Sequence, residues 1–284
     1  VCRGRIVAAA RHQSADRAGV VMVTHQSATR SAASAAAVAG LTVDITGRRR
    51  WQPHVVRVLD EVSIELRHGE ITALIGESGC GKSMLASALV GLLPPGSAVT
   101  GTVRVGDQVL SVRDPRWRDL RGRHVGLVPQ SPATSFTPVR TLESQLAEVI
   151  SVHRATCTPA QLCDRVRLPA DALGCYPHEL SGGMAQRAAV AAAITGSPTV
   201  IVADEPTSAL DPALAQGIWD LLGELADDGA AVLVITHDMD ALRRAERCSS
   251  IAVMRRGALV AHESPDDCMT ADDAYVRAFF EPVR

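Results

Sequence analysis

Apolar and polar residues alternate at Leu41, Val43 and Ile45, the two-residue period of a strand with one buried face. A second alternating run, Val58–Leu66, follows the basic segment Gly47–His54, which reads as a turn. Gly69 then punctuates a hairpin into Ile71–Ile75, a continuous apolar run of the kind that a sheet buries on both faces. Val125–Val128, Thr199–Ala203 and Ala231–Ile235 have the same character. Thr102–Val105 with Val109–Val112 predicts a short hairpin, and Ile251–Met254 with Leu259–Ala261 predicts another around Gly257.

Helical periods fall between these runs. Met84–Leu93 reads as a helix stopped by Pro94, Pro95 and Gly96. Leu142–Ile150 and Ala160–Val166 predict a small helical lobe within about residues 131–190. Further helices are expected at 183–195, Leu214–Ala226, Asp240–Glu246 and 271–281. Apolar strands followed by helices predict an α/β sheet covered on both sides. The hairpins near 58–75 and 101–112 predict an additional antiparallel sheet. No internal repeat or coiled-coil period is visible.

Residues 1–40 stand apart, rich in Ala, Ser and Arg with little bulky apolar content. They read as a disordered extension, with a weak alanine-rich helix at 32–39 as a further option. A start at Met22 would place residues 1–21 outside the protein. The main domain is expected over 41–265, followed by a short extension over 266–284.

The composition, 46% hydrophobic and 21% charged over 284 residues, is that of a folded chain. A net charge of -2 gives no global attraction to nucleic acid or an anionic membrane surface, and no nucleic-acid partner is expected. The seven cysteines form no CxxC pair, and Cys80 lies within a glycine-rich loop, which argues against a disulfide framework and for a reducing compartment. No compact set of Cys and His suggests zinc. The longest apolar runs, such as Ala188–Ile194, fall far short of the roughly 18 residues of a membrane span. Work at a membrane would therefore need a partner.

The glycine-rich loop carries the clearest chemistry. Gly76-Glu77-Ser78-Gly79-Cys80-Gly81-Lys82-Ser83 fits the phosphate-loop spacing and lies between an apolar strand and a helix. Glycines let backbone N–H groups close around phosphate, and the helix start adds a favourable dipole. Lys82 can reach β- and γ-phosphates, and the Ser83 hydroxyl can sit on Mg²⁺. Met84 follows. Cys80 reads as a small buried residue without a catalytic role. Val200–Ala203 ends in Asp204 and Glu205, two carboxylates at the strand end where parallel sheets bind ligands. Asp204 is the candidate for the Mg²⁺ shell, and Glu205 for polarising the attacking water.

Leu180-Ser181-Gly182-Gly183-Met184-Ala185-Gln186-Arg187 resembles the signature motif of ABC-transporter ATPases. With the loop, the Asp204–Glu205 pair and His237, the resemblance covers roughly residues 41–265. It implies a P-loop NTPase of the ABC ATPase fold, with a mainly parallel core sheet, an antiparallel β subdomain and a helical subdomain. The loop, Tyr176-Pro177-His178-Glu179 and Gln130-Ser131-Pro132 are closest to the ATPase subunits of oligopeptide, dipeptide and nickel importers. The asparagine-rich continuation of those proteins reads Ala133-Thr134-Ser135-Phe136 here.

The resemblance implies ATP and Mg²⁺ as cofactors and a head-to-tail pair of ATPase subunits. ATP would lie between the loop of one copy and Ser181, Gly182 and Gly183 of the other. Gln130 would sense metal and γ-phosphate, Asp211 would communicate across the dimer, and His237 would position the water with Glu205. Implied partners are two membrane permease domains and an extracytoplasmic solute-binding protein, with the chain on the cytoplasmic face of the membrane. The adenine-contacting position aligns with Val56, with Trp51 a nearby alternative. The terminal His-Pro-Tyr-Thr-Arg pattern of the peptide importers is echoed only by Tyr275 and Arg277, which keeps nickel or metal chelates open beside peptides as cargo. The alternatives are a soluble ABC-type ATPase of DNA repair or translation, and a regulatory ATP-binding module that does not hydrolyse.

Overall fold

The computed structural model describes residues 33–49, 52–208 and 210–281. Residues 1–32, Met22 among them, and Trp51 lie outside the described residues, and so do the expectations placed on them.

An antiparallel sheet is built from β1 (Ser34–Arg49), β2 (Gln52–Arg67), β4 (Ala98–Val105) and β5 (Gln108–Leu110) in the order β2-β1-β4-β5. A second sheet has the order β10-β9-β3-β8-β7-β6. Its members are β3 (Ile71–Gly76), β6 (Val125–Val128), β7 (Val200–Asp204), β8 (Ala231–Ile235), β9 (Ser250–Arg255) and β10 (Ala258–Glu263). Strands β9, β3, β8, β7 and β6 run parallel, and β10 returns antiparallel at the edge.

The continuous apolar runs follow from burial on both faces of this sheet. Ile71, Ala73 and Ile75 of β3 enter one core, whereas Leu74 enters the other. Strand β8 divides likewise, with Val232 and Val234 on one side and Ala231, Leu233 and Ile235 on the opposite side. A strand with no solvent face has no position for a polar residue, so alternation disappears.

Helices cover the faces. They are α1 (Lys82–Leu89), α2 (Trp117–Leu120), α3 (Pro132–Ser135), α4 (Leu142–His153), α5 (Pro159–Arg165), α6 (Gly182–Ile194), α7 (Pro212–Asp227), α8 (Met239–Ala245), α9 (Pro265–Thr270) and α10 (Ala274–Ala278). Helices α4 and α5 supply Leu146, Leu162 and Cys163 to the core that also contains Val190 of α6 and Trp219 of α7. Helix α1 packs with Trp117 and the antiparallel sheet in the other core.

The structure corrects several sequence expectations. The hairpin expected over 58–75 does not form, because β2 pairs with β1 in the antiparallel sheet while β3 joins the parallel strands of the other. Ser34–Gly40 belongs to β1 and is neither a helix nor part of a disordered extension. Alanine favours helix intrinsically, but Ala36 pairs with both Leu66 and Val105, and Ala35 and Ala36 are fully buried. Tertiary pairing overrides a preference of a few tenths of a kcal/mol per residue, about the size of the helix-propensity scale. The basic turn at Gly47–His54 narrows, because β1 runs to Arg49 and β2 begins at Gln52. The helix expected at 271–281 shortens to α10, which starts where the Asp273 carboxylate accepts from the Tyr275 amide at 2.7 Å.

Candidate functional site

Four neighbouring parallel strands end on the same side of the sheet. In spatial order β3, β8, β7 and β6, their carboxyl ends lead to the phosphate loop, His237, Asp204 with Glu205, and Gln130. Residues far apart in the chain thus meet along one edge, where open parallel sheets bind ligands. A cleft of about 600 Å³ opens there, with Lys82, Ser83, Gln130, Glu205 and His237 among its lining residues.

The loop leaves fully buried β3 and turns into α1 at Gly81, whose φ of 108° favours glycine. A Cβ at Gly81 would lie 2.8 Å from the Val58 carbonyl oxygen, so the backbone itself packs tightly there. Gly79 has φ 79°, and a Cβ there would meet no neighbour within 4 Å, which leaves that turn open to the cleft. No side chain caps the amides at the start of α1. They remain available to an anion, as the helix dipole favours.

Lys82 is only 8% exposed, and a buried ammonium needs acceptors. Its Nζ donates to the Gly76 carbonyl at 2.8 Å and the Glu77 carbonyl at 3.0 Å, which holds the charge inside the loop. Cys80 is buried, whereas Glu77 and Ser78 are exposed. Met84 is half-buried and lines the cleft.

Asp204 ends β7. Burial pushes its carboxyl pKa up, opposed by a hydrogen bond from Ser83 and by the Lys82 charge, with Glu205 adding to the rise. Its Oδ1 is buried without a hydrogen-bond partner. An oxygen left without a partner, beside a serine hydroxyl, fits a hard divalent cation that prefers oxygen ligands.

Glu205 occupies the left-handed region at φ 48°, a conformation costing of order 1 kcal/mol for a residue other than glycine. Its amide donates to the Ile235 carbonyl at 2.9 Å, which fixes the chain as it turns out of β7. The carboxylate then reaches two neighbours. Gln130 Nε2 donates to Oε2 at 3.0 Å, and His237 Nδ1 lies 3.1 Å from Oε1. In the tautomer with its proton on Nδ1, the His237 ring donates to this oxygen. Both oxygens of Glu205 are thereby oriented, and its side chain is 19% exposed against 65% for His237.

Other proposed ligand residues lie elsewhere. Val56 is 46% exposed on β2 and does not line the cleft; Val58, two residues on, does. The signal for Val58 was its place one residue before fully buried Leu59, where β2 passes the loop. Ser181 caps α6, with its hydroxyl accepting from the Met184 amide at 3.3 Å. Neither Ser181 nor Gly182 nor Gly183 lines the phosphate-loop cleft of its own chain. Asp211 caps α7, accepting from the Ala213 and Leu214 amides at 3.0 Å each. A Cβ at Gly183 would meet Leu214 at 3.0 Å, so the starts of α6 and α7 pack against each other.

This fold and loop define an ATP-binding cassette, and the family model for ABC transporters matches residues 59–208. The chain belongs to that family, as an ATP-binding subunit related to the peptide-importer ATPases. A probable peptide ABC transporter ATP-binding protein of Sinorhizobium fredii is 37% identical over 81% of this chain and 72% of its own length. The oligopeptide transport ATP-binding protein OppD of Mycobacterium tuberculosis is 39% identical over 72% of this chain but only 35% of its own length. This chain thus spans about a third of that second, longer relative. Among solved structures, the dimeric ATP-binding cassette MJ0796 in a post-hydrolysis state with ADP and Pi aligns with a TM-score of 0.68 at 26% identity. The alignment covers 81% of this chain and 98% of that one.

Proposed function

We propose that this chain hydrolyses ATP and that the hydrolysis drives import of peptides through two membrane permease domains. The observation that carries the reading is the clamp on Glu205, whose two oxygens are held by Gln130 and His237 at the mouth of the phosphate loop. A carboxylate held from both sides is a fixed acceptor for a water proton. A regulatory module that only bound ATP would need no such orientation.

In this mechanism the loop amides and Lys82 bind the phosphates, and Lys82 offsets charge that develops on the γ-phosphoryl group. Asp204 and Ser83 would hold Mg²⁺, which supplies charge neutralisation across the phosphates when bound. Glu205 orients and polarises the attacking water, His237 holds Glu205 through Nδ1, and Gln130 fixes the opposite oxygen. The far side of the phosphate would be closed by Ser181, Gly182 and Gly183 of a second ATPase subunit, through backbone amides and the Ser181 hydroxyl. Ser181 serves as the N-cap of α6 and does not line the cleft of its own chain, which supports a head-to-tail pair.

Among the described residues no helix is long and apolar enough to cross a membrane. In the proposed complex the permeases hold the chain at the cytoplasmic face. The peptide-transport names of the relatives support peptides as cargo over nickel chelates and over a soluble repair or translation role. The test is vesicles holding this chain, its two permeases and the extracytoplasmic binding protein, with ATP inside. ATP-dependent uptake of peptide supports the reading. Uptake of nickel chelate alone would replace the cargo, and absence of any phosphate release would sink hydrolysis itself.

A further inference from the structure

The mechanism leaves unused a side-chain contact that reaches the phosphate loop from far along the chain. It comes from Tyr275 in α10, 198 residues away from the loop in sequence. The Glu77 amide donates to the Tyr275 hydroxyl at 3.4 Å, and that hydroxyl donates to the Met254 carbonyl at 3.1 Å. Met254 belongs to β9 and pairs in register with Gly76. The hydroxyl therefore ties the first turn of the loop to the strand beside it.

The carbonyl of Gly76 and the amide N–H of Glu77 belong to one planar peptide unit. Its oxygen accepts from Lys82 Nζ at 2.8 Å, while its N–H is held by Tyr275. Rotation of this plane would turn the oxygen away from the ammonium. We infer that Tyr275 is a positioning residue for Lys82, acting through the Gly76–Glu77 peptide plane. Donors run in one direction along the chain of contacts, from Lys82 through the peptide and Tyr275 to Met254. Each bond in such a run polarises the next.

The tyrosine is itself well placed. The Arg255 guanidinium lies 4.6 Å from the ring centroid, and Phe279 packs edge-on at 5.2 Å. The neighbouring Val276 is 1% exposed and anchors α10 in the core. Burial raises the Tyr275 pKa, so the hydroxyl keeps its proton for Met254. By linkage, whatever the tyrosine does for phosphate binding, phosphate binding returns to the docking of α10.

The inference rests on the reading that the loop binds ATP, and the test separates the two. Tyr275→Phe keeps the ring and its packing and removes only the hydroxyl. Hydrogen exchange of the loop amides, measured without nucleotide, should accelerate about two- to fivefold, the size expected for one lost hydrogen bond. ATP affinity should weaken by a similar factor, and kcat should fall by no more than that, since the bond acts through Lys82, which both binds the phosphates and offsets charge on the γ-phosphoryl group. Unchanged exchange overturns the tether whatever the nucleotide data show. Faster exchange with unchanged ATP affinity in a wild-type chain that binds ATP overturns the positioning role. A wild-type chain with no ATP affinity sinks the functional reading, and the exchange comparison still decides the tether.

Discussion

Helices α1 and α6 both start on glycine-rich turns, yet their first turns are finished differently. The start of α1 has Gly81 at its cap and no side chain closing its amides. Buried Lys82 stands at its head, and Asp204 lies beside Ser83. The start of α6 is closed by its own Ser181, and its glycines face leucines: Leu210 lies 3.6 Å from a Cβ at Gly182, and Leu214 lies 3.0 Å from one at Gly183. One helix start has charged side chains beside it. The other offers amides and a hydroxyl without a charged partner from its own cleft. The proposed composite site divides along this line, with chemistry on the α1 side and contact on the α6 side.

The largest effect should therefore follow from a change on the α1 side. Glu205→Gln keeps the size and the left-handed turn but removes the proton acceptor. Phosphate release should fall about a hundred- to ten-thousand-fold, the range for losing a general base. ATP binding should persist, and the variant should collect as an ATP-held dimer in size-exclusion chromatography. Turnover near that of wild type would show that Glu205 is not the base.

The division itself can be tested by mixing chains. Lys82→Ala removes the charge at α1, and Ser181→Arg blocks the start of α6; each alone should be nearly inactive. In a mixed dimer, one site receives Lys82 from one chain and Ser181 from the other, both intact. Random pairing of equal amounts should restore about a quarter of wild-type phosphate release per chain, because half the dimers carry one sound site of two. No recovery would place Ser181 and Lys82 at the same site within one chain.

Asp204 supplies a smaller effect with a definite sign. Its folded pKa is raised, chiefly by burial, so the ionised form opposes folding at neutral pH. The folded-state advantage of the protonated acid is complete below the unfolded pKa and is lost as pH rises through the folded one. Asp204→Asn should raise Tm at pH 7 in metal-free buffer, because the amide does not carry the burial cost of the carboxylate. The gap between variant and wild type should close as pH falls through the Asp204 titration. Added Mg²⁺ and ATP should stabilise wild type more than the variant, which would identify the cost as one offset by the metal.

Legibility in the sequence followed the range of the interaction. The loop, strand β8 and the Asp204–Glu205 pair were readable because local spacing carries them: the expected strand Ala231–Ile235 is β8 to the residue. Strand β1 was read seven residues late, since Ser34–Gly40 offers small side chains whose burial depends on partners in β2 and β4. The clamp on Glu205 unites residues 75 and 32 positions apart; the family resemblance brings His237 to Glu205 but places Gln130 at the metal and γ-phosphate, so the bond from Gln130 to Glu205 comes from the structure alone. The bond from Glu77 to Tyr275 spans still further and has no local pattern at all. The resemblance aligns the adenine contact with Val56, whereas Val58 lines the cleft, and the pairing of β1 with β2 shifts register between Leu59 and Arg57.

The adenine contact gives the smallest expected effect and refines the same contrast, because only the α1 side should touch the base. Val58 lines the cleft and abuts Gly81 through its carbonyl, while Val56 is 46% exposed outside it. Val58→Ala removes two methyl groups from that wall, and partial burial against a base should limit the loss to about 0.5–1 kcal/mol. ATP affinity should weaken about two- to fivefold in equilibrium binding, with affinity for inorganic triphosphate unchanged. Val56→Ala should leave both affinities as they are. A loss at Val56 alone would restore the position that the resemblance aligns. Equal losses for ATP and triphosphate at Val58 would mean that the substitution disturbed the loop at Gly81 and not the base, a distinction made necessary by the crowding at that glycine, where a Cβ would lie 2.8 Å from the Val58 carbonyl oxygen.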